Sequence, residues 1–257
     1  MPDAIKSTSA LSPPLPRRAG GERGARQVPP DAIEARYPIA VQTLSGRQNR
    51  AIRSTSQTLA LRDAAPDLIA EAIIVAAGIG SRQGELLGLR RRSVDFLRKD
   101  IVVVEQAVTL SRGGAEFRPP NTRQALRRIP VGDVVIDAIA RHLEKYPCEP
   151  DEAIFRKRMG RLHRRSAFGV LWRKARQEAG ARDTLRWHEL RHFYASTLIA
   201  GGASVREVME RMGHTSAKET IARYSRLWPD RTESTRALVD SALSRGTAAG
   251  PQPLTGR

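Results

Sequence analysis

The sequence predicts a mainly α-helical fold with a small antiparallel β-sheet, an α+β arrangement, and three observations carry that expectation. Successive stretches repeat apolar residues every three or four positions and stop at a glycine or proline, the pattern of core-facing helices with defined ends. Three short runs rich in β-branched residues cluster between positions 94 and 131, separated by polar and glycine-rich turns. The run His188–Tyr224 places Ser and Glu three residues apart twice, which sets off short helices in close succession.

Composition bounds the rest. At 257 residues the chain can bury one good core plus small extras. Lys and Arg total 44 against 27 Asp and Glu, a formal net charge of +17, which favours a polyanionic partner. Nearly all of that charge is arginine: Lys6, Lys99, Lys145, Lys157, Lys174 and Lys218 are the only lysines. Cys148 is the single cysteine, so no intrachain disulfide can form, and a reducing cytoplasm is the expected location. The N-terminus lacks an apolar signal core and no run approaches the roughly 20 apolar residues of a membrane span, so no membrane partner is expected.

Residues 1–53 are basic and rich in Pro, Gly and Ser without a sustained apolar period, and are expected to be disordered. Order is expected from Ser54. Leu68, Ile69, Ala72, Ile73, Val75 and Ala76 outline a buried helix from about Pro66 to Gly78. The following GIGSRQGELLGL suggests a nucleotide-binding turn, but glycines at 78, 80 and 84 do not make GxGxxG. Val94 and Phe96, then Ile101 to Val104 with Val108, then Ile129 to Val131 form the expected strands. A helix follows Gly132 with Val134, Val135, Ala138, Ile139 and Leu143 facing the core, and ends before Pro147. The basic segment Arg156–Ser166, His163 included, reads as a surface that is either solvated or in contact with a polyanion. It leads into a helix burying Phe168, Leu171, Trp172 and Ala175, closed by Gly180. After Tyr224 a helix carries Ala237, Leu238, Val239, Ala242 and Leu243, and residues 245–257 form a flexible tail.

The run His188–Tyr224 concentrates the chemistry. Leu190, Phe193, Thr197 and Leu198 give a first helix an apolar stripe that ends at Gly201 and Gly202, and His188 and Arg191, three apart, share one of its faces. Ser204 and Glu207 form a capping box for a second helix with Val205, Val208, Met209 and Met212 on one side, stopped by Gly213, and His214 emerges directly after it. Ser216 and Glu219 repeat the box and start a third segment bearing Ile221 and Tyr224. A guanidinium fork matches phosphate oxygens, imidazoles donate to the same oxygens or move protons, and a phenol becomes a nucleophile on losing its proton. Together they suit attack on a phosphodiester, and no acidic cluster for magnesium accompanies them, so neither metal nor cofactor is expected. Two other readings fit part of the run. HELRH matches the zinc-protease pattern, yet Arg191 would set a fixed positive charge beside the metal. A helix-turn-helix reader would leave Tyr224 and the histidines unused.

His188, Arg191, Gly213, His214 and Tyr224 reproduce a box of His, two residues, Arg and His, a later Gly-His pair and a Tyr, and in it the segment resembles the tyrosine recombinases, also called phage integrases. Tyr224 stands ten residues after His214, as in the actinobacterial and phage members whose Tyr is followed by Ser-His-Leu and Trp-Pro-Asp; Ser225, Leu227, Trp228, Pro229 and Asp230 match and Arg226 departs. Arg82, Gly84, Glu85, Leu86, Leu87 and Leu89 match the family's earlier arginine motif. The resemblance implies a tyrosine recombinase catalytic-domain fold over residues 54–244, with the strands as the sheet at its edge. It further implies site-specific recombination or integration of double-stranded DNA without metal or ATP. Tyr224 would form a 3′-phosphotyrosyl bond, and Arg82, His188, Arg191 and His214 would hold the phosphate oxygens. It implies a homo-oligomer, a tetramer, on DNA, with the last helix as a candidate contact. Two departures stand against full activity. Asn121 occupies the place of the family's acidic lysine, and a separate core-binding domain of about a hundred residues would ordinarily precede this one. The first fifty residues are too few and too polar to replace that domain. A DNA-binding remnant or accessory factor with little catalysis is the alternative these departures favour.

Overall fold

The computed structural model describes residues 54–228 and 232–248. The segment 1–53, the end of the expected tail from 249, and Pro229 and Asp230 lie outside the described residues. Helix α1 (Thr55–Asp63), which the apolar pattern did not announce, starts where the Ser54 hydroxyl accepts the Gln57 amide at 3.1 Å. Helix α2 (Asp67–Ile79) is buried on nearly every side, with Ile69, Ala72, Ile73 and Val75 fully enclosed. Each enclosed isoleucine contributes about 1.5–3 kcal/mol, which makes α2 the axis of the core. The helix runs past Gly78 to Gly80, one turn-step beyond the expected stop. A Cβ on Gly78 would lie 2.3 Å from Val135 Cγ2, so that glycine serves close packing against α4 (Asp133–Lys145) and does not end the helix. Gly80 ends it with φ +58.

The exposed face of α4 differs from expectation. Val134 is 64% exposed, while Ile136 and His142 turn inward, and the His142 Nε2–H donates to the Ile154 carbonyl at 3.1 Å. That bond makes a polar residue acceptable on the buried face.

Two small antiparallel sheets replace the expected one. β1 (Val94–Asp95), β2 (Asp100–Val103) and β5 (Arg127–Pro130) pair in the order β1-β2-β5, with Ile101 opposite Ile129. β3 (Gln106–Thr109), which holds Val108, pairs instead with β4 (Ala115–Arg118) as a separate hairpin. β4 has almost no apolar alternation because its Phe117 is covered by a guanidinium, Arg90, 3.7 Å from the ring centre. The hairpin rides on α3 (Gln83–Leu87), whose neighbour Gly88 admits the backbone of Gln106 and Ala107 at a distance no Cβ would allow.

In the basic segment, His163 is only 4% exposed and not part of the surface, since α5 (Arg165–Glu178) brings Phe168 under it with ring centres 5.6 Å apart. Along α5, Phe168, Trp172 and Ala175 are buried and Leu171 half-buried. The last helix, α9 (Thr232–Ala248), extends into the expected tail and exposes Leu238, Val239 and Leu243. Among the described residues no helix is long and apolar enough to cross a membrane.

Candidate active site

Three helices and the end of α2 bring the candidate side chains into one cluster. α6 (Glu189–Ala200) buries Leu190, Tyr194, Ala195 and Ile199. The expected stripe is therefore rotated: Phe193 and Leu198 are only half-buried and Thr197 is exposed, its hydroxyl donating to the Phe193 carbonyl at 2.9 Å. α7 (Val205–Met212) has the expected capping box, with the Ser204 amide donating to Glu207 at 2.7 Å and the Glu207 amide to the Ser204 hydroxyl at 3.2 Å. Such a cap stabilises by about 1 kcal/mol. α8 (Ala217–Tyr224) has no second box: Ser216 makes no side-chain cap bond, and Glu219 turns to His214 at 3.6 Å. Ile221 is exposed.

Gly213 reverses the chain with φ +62, and a Cβ there would sit 3.0 Å from the Gln124 carbonyl. That turn delivers His214 into the cluster, where its Nδ1 meets the Thr220 hydroxyl at 2.8 Å. Arg191 is 3% exposed and donates to the carbonyls of Gly80 and Met212, so it splices the ends of α2 and α7. Arg82, immediately before α3, keeps 40% of its side chain exposed while donating to Glu85 at 2.8 Å and to the Gly213 carbonyl at 3.5 Å. Below them Glu85 accepts Arg127 at 2.8 Å, and Arg127 donates further to the carbonyls of Arg211 and Ala125, each at 2.9 Å. Burial alone would raise the Glu85 pKa, but the charges and hydrogen bonds of Arg127 and Arg82 outweigh it and hold the carboxyl below its usual range.

Tyr224 is 4% exposed, and its hydroxyl lies 2.7 Å from His192 Nδ1. Burial pushes the phenol up to about 12 against the pull of Arg191 and Arg223. The His192 imidazole is pushed down to about 3 by burial and then by His188, Arg223, Arg191 and His214, so it is neutral, and in its Nε2–H tautomer Nδ1 accepts the hydrogen bond of the phenol. His188 stands at the open rim, edge-on to His192 with ring centres 4.8 Å apart. The surrounding protein, then Arg191, Arg223 and Arg82, lower its pKa to about 4. For His214 burial, Arg191, Arg82 and Arg223 outweigh Glu219 and give about 4.

The structure thus gathers Arg82, His188, Arg191, His214 and Tyr224 into one cluster. Asn121 sits just after β4, exposed, its Oδ1 accepting Gln106 Nε2 at 2.9 Å. Gln106 lies against Gly84 of α3, which ties the hairpin to the helix that Arg82 opens. Four contributors carry no role in the sequence reading. His192 closes the HELRH run in the sequence without a role of its own, although its place four residues after His188 puts both on one face. Glu85 stands in the motif of Arg82, but nothing in the sequence announces its pairing with Arg127, 42 residues on. Arg223 had no signal beyond standing next to Tyr224. Among the described residues no three His, Cys, Asp or Glu side chains are grouped as metal ligands. Chemically, the cluster offers guanidinium donors for an oxyanion, a phenol oxygen and a neutral imidazole in contact with it.

The model of the Phage integrase family matches residues 42–230. The prophage phiRv2 integrase of Mycobacterium tuberculosis is 32% identical over 179 residues, covering 68% of this chain and 47% of that protein. A XerC-like tyrosine recombinase of Caldanaerobacter subterraneus is 24% identical over 238 residues, covering 84% of this chain and 59% of the relative. The chain therefore spans about half the length of the curated relatives it matches. Among solved structures, the Tn1549 transposon integrase in complex with circular intermediate DNA superposes with a TM-score of 0.63 at 20% identity, covering 77% of this chain and 68% of that one. The XerA recombinase follows with 0.54 at 19% identity, covering 82% and 68%. These likenesses are of fold: a mainly helical domain with small antiparallel sheets.

Proposed function

This chain belongs to the phage integrase family, and from that membership together with the cluster around Tyr224 we propose that it cuts and rejoins double-stranded DNA at specific sites through a covalent Tyr224–phosphate bond. The observation that carries the reading is a buried phenol among Arg82, Arg191, His188 and His214 in a chain with a net charge of +17. A phosphodiester entering beside Arg82, the more open of the two arginines, would meet donors already fixed in place. Preorganised donors act most strongly on charge that develops during reaction. Tyr224 attacks phosphorus and the strand leaves as a 5′-hydroxyl, so the bond energy stays in a 3′-phosphotyrosyl link and neither ATP nor a metal enters the step. The exposed apolar residues of α9 are a candidate contact with a second copy in a DNA-bound tetramer, and a cytoplasmic location fits the single cysteine.

A nicked suicide duplex tests the reading. The wild-type chain should accumulate a covalent DNA adduct, and Tyr224→Phe should bind DNA but form none. Undiminished adduct in that variant would mean another nucleophile, and no adduct with wild type would favour the DNA-binding remnant. Asn121 cannot supply a proton to the departing oxygen. Asn121→Lys should therefore accelerate cleavage, by up to the 10²- to 10⁴-fold that general acids typically contribute.

A further inference from the structure

The geometry points to His192 as the group that takes the proton of Tyr224 during strand cleavage, an inference that rests on the recombinase reading. His192 Nδ1 is 2.7 Å from the Tyr224 oxygen, within the range of a working acid–base pair. The other side chains of the cluster are directed elsewhere. His214 Nδ1 is engaged by Thr220 and its Nε2 faces Glu219. Arg191 points its nitrogens at the carbonyls of Gly80 and Met212. His188 stands edge-on to His192, one ring further from the phenol.

The step balances as follows. The Tyr224 oxygen bonds to phosphorus as the bond from phosphorus to the 5′ oxygen breaks; the phenolic proton moves to His192 Nδ1, and the 5′ oxygen takes a proton from water. In the reverse step the 5′-hydroxyl attacks phosphorus and loses its proton to solvent, while protonated His192 returns its proton to the departing phenolate. Without DNA the transfer is strongly uphill, since the phenol is held up at about 12 and the imidazole down at about 3. The groups that face His192 are His188 at the N-cap of α6 and Arg191 on α6, Arg223 and Tyr224 on α8, and His214 between α7 and α8. A bound phosphodiester offsets the guanidinium charges among them, makes the imidazole more basic, and so couples release of the nucleophile to occupancy of the site. The resting chain keeps its phenol protonated and unreactive.

The test uses the full chain and the nicked duplex in single-turnover reactions across pH 6.5–9.5. His192→Asn leaves an oxygen near the position of Nδ1 that can accept the hydroxyl hydrogen bond but cannot hold the proton, and His192→Gln serves as a second variant. Both should bind the duplex like wild type and form adduct about 10²- to 10⁴-fold more slowly at neutral pH. Their rates should then climb nearly tenfold per pH unit as hydroxide takes over the deprotonation, while the wild-type profile stays close to flat. Rates within about threefold of wild type would overturn the assignment. Slow variants whose pH profile runs parallel to wild type would overturn it too, since His192 would then only orient the ring. Absence of adduct with wild type would sink the recombinase reading and this one with it, a result distinct from either.

Discussion

Around Tyr224, desolvation by the surrounding protein, reinforced by the charges of Arg191 and Arg223, keeps His192 and His214 neutral inside and His188 neutral at the rim. In the larger core, His142 and His163 are kept neutral chiefly by burial, with Arg156 and Lys157 as lesser influences. The partners differ too: His214 and His192 each touch a hydroxyl, whereas both ring nitrogens of His163 lack a hydrogen-bond partner. The same protonation state therefore has two physical origins. Where guanidiniums contribute, an anion can change it without moving the fold. Where burial dominates, unfolding is the main way to change it.

The largest expected effect is on acid stability, and it involves both groups. All five imidazoles have folded pKa values below the usual 6.5, so the unfolded chain binds more protons. The stability they supply is fully present above about pH 6.5 and is lost as pH falls toward 4. Leaving out the exposed His188, and His142, whose imidazole is lowered by burial to a lesser extent, His163, His192 and His214 each contribute about 2 kcal/mol by pH 5, or about 6 kcal/mol together as an upper bound. Urea unfolding at pH 7.5 and pH 5 measures it, and His163→Leu should narrow the gap. A gap that His163→Leu leaves unchanged would break the claim that the folded chain holds this histidine neutral.

Next in size is Arg127→Met, which would strand Glu85 in the core without the partner that outweighs its burial. Removing one member of a buried pair typically costs about 3–5 kcal/mol. Thermal or urea denaturation would register it, and Glu85→Gln beside it should show a smaller deficit below pH 4.5, where the wild-type carboxylate advantage fades. Equal deficits at all pH values would show that the bond's shape matters and its charge does not.

The smallest effect separates the two groups directly. Binding of a short duplex should raise the pKa of His188, His192 and His214 by about one unit, equivalent to about 1.4 kcal/mol, and leave His142 and His163 unmoved. Imidazole proton resonances followed through a pH titration, with and without DNA, would show it. A uniform shift in all five would mean that net charge, not local guanidiniums, controls them.

Much of this was legible in the sequence because it is local. The apolar density of α2 and the Ser204–Glu207 box are settled within a few residues, and the structure forms both. The second box does not form: Glu219 lies toward His214 across the turn, a contact that no local pattern encodes. β4 was missed because Phe117 is covered by Arg90, a residue far earlier in the chain, and not by an apolar neighbour. His163 looked like surface among arginines until Phe168 packed beneath it. The spacing of Arg82, His188, Arg191, His214 and Tyr224 marked the cluster, but the role of His192 depends on a tyrosine 32 residues away.

Arg191 holds one more consequence. Its two carbonyl partners belong to Gly80 and Met212, at the C-terminal ends of α2 and α7, where the helix macrodipoles turn their negative poles. Dipoles steady a cation without cancelling its charge, whereas Glu85 does cancel that of Arg127. The free chain therefore carries an unbalanced positive charge as a deliberate shortfall in its own stability. By mass action any anion that binds there should be repaid in melting temperature, so that sulfate or inorganic phosphate alone would make the protein harder to unfold.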